Sequence, residues 1–278
     1  MPSVAITGAT GRIGSVVLRR AREDHEVMPF SGSGAEGIAS LDLREESAAD
    51  CLLRRCPDLV VNCAAIATPG ACRRDLISAF ALNVLWPARL ALACSHSRVP
   101  LVHMSSDLVY SGATPPYYES SPAVPLSLYG WTKLLADHLV LRIYPEALVA
   151  RTSVVFGPSP SRNQTFSEAL LAGGVPSLYL DSWRNHTPVS WLADSLLSAA
   201  ERCASGLLAI CGRWEQTRSA FGEALMRHLG RDPSTLSFAY RPNGVPRNLA
   251  MRPWRMERLL GRQAPDLLQS LEMEYPNV

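Results

Sequence analysis

Short, nearly all-apolar runs alternate with longer helical patterns along most of this 278-residue chain. Ser3–Thr7, His25–Phe30, Ile38–Leu43, Leu59–Cys63, Leu101–Ser105 and Ala147–Val155 read as strands. Between them, 11–24, Glu45–Arg55, Ile77–Ser95 and Tyr129–Ile143 read as helices; in the first, Ile13, Val16, Val17, Arg20 and Ala21 recur at helical spacing. A strand that is apolar throughout must be covered on both faces. The expected fold class is therefore α/β, a doubly wound parallel sheet of Rossmann type.

After Gly157 the texture changes. Pro158, Pro160, Gly173, Gly174 and Pro176 interrupt the chain. Ser190–Arg202 then reads as a helix, Leu207–Cys211 as a strand, and Ser219–Leu229 as a helix capped by Thr217 and ended by Gly230. The expected layout is a dinucleotide-binding domain over 1–157, with 190–212 returning to it. A smaller, interleaved substrate-binding part would use 158–189 and 213–278.

Composition excludes several classes. With 47% hydrophobic and 19% charged residues, the chain is not disordered, collagenous or a coiled coil. A net charge of +2 gives no reason to expect nucleic acid or an anionic membrane as partner. No apolar run approaches the roughly 18 residues of a membrane span. Ala5 and Ile6 run directly into a glycine loop, unlike a signal peptide. Seven Cys, with no CxxC pair and no zinc spacing, point to a reduced, cytoplasmic protein without a metal site.

Gly8-Ala-Thr-Gly11-Arg-Ile-Gly14 lies between the first strand and the first helix. Gly8 permits a tight turn, Gly11 lets backbone approach a pyrophosphate, and Gly14 lets the helix pack closely. That context, rather than the glycines alone, argues for a bound dinucleotide. A site for NAD usually places Asp or Glu at the end of the second strand. This chain has Phe30-Ser31-Gly32-Ser33 and no carboxylate until Glu36. NADP(H) is therefore the expected cofactor, with NAD(H) as the alternative. Ser31 and Arg12 are the expected readers of the 2′-phosphate.

Tyr129-Gly-Trp-Thr-Lys133 puts a phenol and an amine on one helix face. YxxxK alone is common. Here it holds the only Lys among 27 basic residues, in a chain that otherwise uses Arg. A compact ammonium cannot be replaced by a guanidinium where space is fixed. A nearby ammonium lowers a phenol's pKa, so Tyr129 is the expected acid/base and Lys133 its tuner. Ser105 and Ser106 end a buried strand, at the edge where such sheets bind ligands.

These motifs resemble those of the extended short-chain dehydrogenase/reductase family. The glycine spacing is that family's GxxGxxG. Leu41-Asp42-Leu43 resembles its adenine-side segment, and Asn62-Cys63-Ala64-Ala65 its strand end beneath the nicotinamide. Asn83 stands where the family often has Asn; a helix-surface or capping role fits equally. Within the family, PDLVVNCAA, SSDLVYSG, YGWTK and ARTS follow the order of the dTDP-4-dehydrorhamnose reductases, over residues 1 to about 200. The resemblance implies Ser106, Tyr129 and Lys133 as catalytic residues. It implies cofactor contacts from Gly8, Thr10, Gly11, Arg12, Ile13, Gly14, Ser31, Asp42, Leu43, Ala64, Ala65, Tyr129 and Lys133. Asp107, Leu108, Val154 and Asn163 would line the substrate. Leu108 and Val154 depart from the aromatic residues usual there, which puts the deoxyhexose in question.

The reading is an NADP(H)-dependent reductase of a nucleotide-linked 4-keto sugar that allows a homodimer. One alternative is a nucleotide-sugar epimerase or dehydratase that recycles its cofactor. The other is a non-catalytic NADP-binding regulatory subunit, similar to the methionine adenosyltransferase β-subunit. His186 and Asp181 read as exposed loop residues.

Overall fold

The computed structural model describes residues 1–175 and 177–276; Pro176, read above as a chain breaker, lies outside them. Strands β1 (Ser3–Thr7), β2 (Glu26–Ser31), β3 (Ala39–Ser40), β4 (Leu59–Asn62), β5 (Leu101–Ser106) and β6 (Leu148–Thr152) are joined through helices, except that a loop joins β2 to β3. With β10 (Gly206–Ala209) they form a seven-stranded parallel sheet in the order β10-β6-β5-β4-β1-β2-β3. The strand order reverses between β1 and β4, the switch point where doubly wound sheets open a crevice at their carboxyl ends. Thr7 pairs in register with Phe30 and Asn62, and Ser106 with Thr152, so the candidate residues share one edge.

The sheet is buried on both faces, as its all-apolar strands require. Val4, Ile6, Val61 and Val102 pack under the Gly14–Asp24 and Val189–Glu201 helices, against Val16, Val17, Trp191 and Leu196. Ala5, Val60, Leu101 and Val149 face the opposite layer, with Trp86, Leu90 and Val140. Each such aliphatic side chain contributes about 1.5–3 kcal/mol relative to exposure.

The continuous helix Leu76–Ser97 departs from the expectation about membrane spans. Within its 22 residues an 18-residue window has a mean hydropathy of 1.6, long and apolar enough by length and composition to cross a bilayer. Ser78, Asn83 and the charged Arg89 interrupt the run without lowering the average enough. The helix lies in the fold's own layer, with Trp86, Pro87, Leu90, Ala91 and Cys94 buried.

The Ala147–Val155 run is two strands rather than one. β6 ends at Thr152, and after Ser153 the chain enters β7 (Val154–Phe156). A short β8 (Leu178–Tyr179) precedes β9 (Trp183–Pro188). β7 pairs in parallel with β9, which pairs antiparallel with β11 (Glu215–Thr217), in a separate three-stranded sheet. β8 pairs with β12 (Phe238–Ala239). The second strand of the smaller sheet, Trp-Arg-Asn-His-Thr-Pro, has no apolar alternation and could not be read from pattern. Ile38–Leu43 likewise shrinks to two paired residues.

Candidate active site

The glycine loop forms from steric necessity. Gly8 has φ +70°, and a Cβ there would sit 2.7 Å from the Ala64 nitrogen. A Cβ on Gly14 would meet the Gly8 carbonyl oxygen at 2.2 Å, and one on Gly11 would meet it at 3.1 Å. Gly14 thus packs on the loop itself, and the helix begins there rather than at Gly11. Ile13 turns into the core. The Thr10 and Arg12 carbonyls accept from Ser161 Oγ at 2.8 Å and Ser159 Oγ at 2.9 Å. The smaller part therefore buttresses the loop.

The chain's second strand ends as a dinucleotide requires. Ser31 is buried, and its Oγ has no partner. A buried hydroxyl without a bond costs free energy unless a ligand supplies one. Together with the loop's Cβ-free cradle, this fits a ribose or its 2′-phosphate. Leu43 and Ala64 are buried, whereas Ala65 is half-buried. Asp42 is at the surface. Arg44 grips it through Nε at 2.9 Å and Nη2 at 2.6 Å, and these hydrogen bonds lower its carboxyl to about 2.

Ser106 and Tyr129 meet at the carboxyl edge of the sheet. Each is 8% exposed, enough to be reached from the cleft. The Ser106 side chain beside the phenol favours its ionised form, as does the Arg12 guanidinium. Burial outweighs both, so the Tyr129 phenol is pushed above its ordinary value. The direction is the reverse of the one expected, because burial is the largest influence on the phenol. Arg12 has the weakest of the influences on Tyr129. Ser105 faces the other way, toward Asp137.

Gly130 explains the close approach. A Cβ there would lie 2.2 Å from the Leu108 carbonyl oxygen, so only glycine lets the Leu128–Ile143 helix seat against the turn after β5. Ser127 caps that helix, accepting from the Gly130 N–H at 3.1 Å. Asn83 is neither surface nor cap. It is fully buried, exchanges bonds with the Ile66 backbone at 2.8 and 3.1 Å, and donates to Thr132 Oγ1 at 3.1 Å. It clamps the segment after β4 to the helix of Tyr129.

The substrate-side residues scatter. Asp107 is fully buried and held by Arg184 through Nε at 2.6 Å and Nη2 at 2.6 Å, with Ser153 Oγ also donating to it. It is an anchor between the two sheets rather than a substrate contact. Leu108 is half-buried against Leu128 and Tyr129. Val154 is half-buried in β7 opposite His186. Asn163 is exposed and lines a cleft with Thr10, Arg19, Arg22 and Ser33, away from Tyr129. His186 is not a loop residue. It is 2% exposed, stacks on Phe221 at 4.1 Å, and burial lowers its imidazole to about 3. Asp181 pairs with Arg241 at 3.4 Å.

Two arginines beside the site escaped the sequence reading, since nothing in their spacing marks them. Arg184 is the partner of Asp107. Arg218 lies over the rings of Phe166 and Tyr179 at 5.4 and 5.5 Å. It makes no ion pair among the described residues, and burial beside Arg184 lowers its guanidinium to about 10. No group of metal-ligating side chains occurs among the described residues.

A switch-point crevice with a glycine loop, a Ser and a Tyr-Lys helix defines a dinucleotide-dependent dehydrogenase/reductase fold. The chain belongs to the family described as the RmlD substrate binding domain, whose profile matches residues 2–261. It is 29% identical over 285 residues to a probable low-salt glycan biosynthesis reductase of Haloferax volcanii, covering 96% of this chain and 95% of the relative. It is 29% identical to a dTDP-4-dehydrorhamnose reductase of Mycobacterium tuberculosis, covering 92% and 87%. Among solved structures, a dTDP-4-dehydrorhamnose reductase of Bacillus anthracis in complex with NADP superposes with a TM-score of 0.86 at 20% identity, covering 99% of each chain.

Proposed function

We propose that this protein is an NADP(H)-dependent reductase of a nucleotide-linked 4-keto sugar. The observation that carries the reading is Ser106 beside a buried Tyr129 at the switch point. A reduction needs a proton donor, and the Tyr129 phenol is in the donor form at neutral pH; burial makes it a weaker acid, so the charges around it must favour the phenolate as the proton leaves. The nicotinamide, when bound, supplies the hydride. Ser106 holds the carbonyl oxygen, Tyr129 gives it a proton, and the Arg12 guanidinium favours the phenolate left behind. Gly8, Gly11, Gly14 and Ser31 would hold the dinucleotide. The uncompensated Arg218 supports an anionic substrate such as a nucleoside diphosphate sugar. The part built from 158–189 and 213–278 would bind it, with 1–157 and 190–212 carrying the cofactor.

Names among the relatives agree: a Streptomyces antibioticus protein 33% identical over 233 residues is called a probable dTDP-4,6-dihydroxy-2-methyloxan-3-one 4-ketoreductase. The test is a panel of nucleotide 4-keto sugars with NADPH or NADH, followed at the nicotinamide absorbance. Turnover with no net consumption of cofactor would favour an epimerase or dehydratase. A regulatory role has one observation in its favour, 35% identity over 155 residues to a Xenopus laevis methionine adenosyltransferase 2 subunit beta. Inactivity with every substrate, together with capture of a stoichiometric catalytic partner, would support it.

The NADP preference is tested at Gly32, just past β2. A Cβ there meets nothing within 4 Å, so Gly32→Asp places a carboxylate at the strand end without a clash. The ratio of kcat/KM for NADPH over NADH is expected to fall at least about tenfold in this variant, equivalent to ~1.4 kcal/mol of repulsion. Arg12→Ala, by contrast, is expected to lower turnover and leave the ratio unchanged. A parent ratio near one would sink the assignment.

We assign the face carrying Phe80, Trp131 and Leu135 to a second copy of the chain. Trp131 is 54% exposed beside Phe80 and Leu135, an apolar patch shared by two neighbouring helices. Trp131→Asp is expected to halve the mass found by light scattering. A parent that is already monomeric would remove the assignment. The free cysteines support a cytoplasmic location.

A further inference from the structure

Lys133 is 2% exposed, and its Nζ lies 3.2 Å from Nε2 of His103 on β5. His103 is fully buried, with Nδ1 2.9 Å from the Asn62 side-chain nitrogen. The direction of each hydrogen bond follows from the far end of this chain of contacts. The Asn62 oxygen position faces the Trp86 indole N–H at 3.1 Å and the Ala64 backbone N–H at 3.3 Å. Both of these can only donate, so the amide oxygen must face them. The Asn62 NH2 is thereby turned to His103. It can only donate, so Nδ1 accepts and carries no proton. A neutral imidazole then holds its proton on Nε2, and that N–H points at Lys133. An ammonium has no lone pair to receive it, whereas an amine does.

We propose that His103, its tautomer set by Asn62, is a positioning residue that favours the neutral amine of Lys133 over the ammonium in the cofactor-free cleft. Every charged or titratable group facing Lys133 bears on this. From β5, His103 is kept neutral, because burial lowers it well below its ordinary value. From beyond β4, the Cys63 thiol is raised by burial to about 12 and carries no charge. From the Pro69–Arg74 helix, the Cys72 thiol is likewise raised by burial. On its own helix, Asp137 favours the ammonium, but Arg151 holds that carboxylate through Nε at 3.0 Å. Burial is the largest influence and opposes the charge, bringing Lys133 to about 8. Forming the ammonium takes one proton from solvent and breaks the His103 contact. The site would then answer to weakly alkaline pH through an amine that Arg cannot mimic.

The inference rests on reading Lys133 as the amine of the reductase site. Its test uses the protein without cofactor or substrate, so it stands or falls separately from that activity. The chain has a single Lys, so labelling lysine with carbon-13 at Cε yields one side-chain signal to titrate. Its midpoint is expected near 8, against about 10.4 for a free lysine. Nitrogen-15 spectra of histidine should show His103 with a bare Nδ1 and a protonated Nε2. His103→Met keeps similar bulk without the N–H, and the Lys133 midpoint is expected to rise by about one unit. A parent midpoint at or above about 10, a protonated Nδ1, or an unmoved midpoint in the variant would each overturn the proposal. Should the variant not fold, the two parent spectra still decide.

Discussion

Replacing Tyr129 by Phe is expected to lower turnover at least about 100-fold, the low end of what a positioned acid contributes. Cofactor affinity, read by fluorescence titration, should stay close to the parent value. The substitution removes one oxygen and keeps the ring packed with Cys72 and Ala79. No neighbour is placed to take over. Asp107, the nearest carboxylate in sequence, has both oxygens engaged by Arg184. A Phe variant with normal turnover would mean that the proton comes from elsewhere, and the reductase mechanism drawn here would fail.

Arg184→Met is expected to destabilise the fold by about 3–5 kcal/mol, the usual cost of leaving a buried carboxylate unpaired. Asp107 is fully buried, and Ser106 and Ser153 can offer it only neutral hydroxyls in place of a guanidinium. Adding Asp107→Asn to Arg184→Met should recover most of that loss, because the uncompensated charge goes with it. Denaturant unfolding of the parent, both single variants and the double variant closes the cycle. A single variant within about 1 kcal/mol of the parent would show the pair to be solvated despite its burial.

The central sheet was legible because its strands are apolar throughout and separated by helical periodicity; Val4, Ile6, Val60 and Val61 are all fully buried. The glycine loop and the Tyr-Lys helix were legible because each motif is local, with its spacing set by one turn or one helix. What escaped depends on distance along the chain. Arg184 meets Asp107 across 77 residues, and no property of either residue in isolation announces the pair. Asp107 therefore read as a substrate contact when it is an internal anchor. The direction of the Tyr129 shift was also misread, because YxxxK shows the amine but not the depth of burial. His103 read only as part of a strand, since its importance lies in which nitrogen faces Asn62. The polar strand β9 was unreadable for the same reason: its neighbours β7 and β11 arrive from either side in sequence.

The chain leaves the large sheet at Ser153, builds β7 and β9, and returns to place the Val189–Glu201 helix and β10 on the large sheet's flank and edge. That route makes the two bodies inseparable in assembly. A fragment ending near residue 157 would lack the helix that covers Val16, Val17 and Leu18, and would leave β6 as an open edge. The polypeptide must be synthesised through Glu201 before the helix that covers the first strand's layer is in place. Until then the nascent sheet presents apolar surface, and folding waits on pairings far apart in sequence.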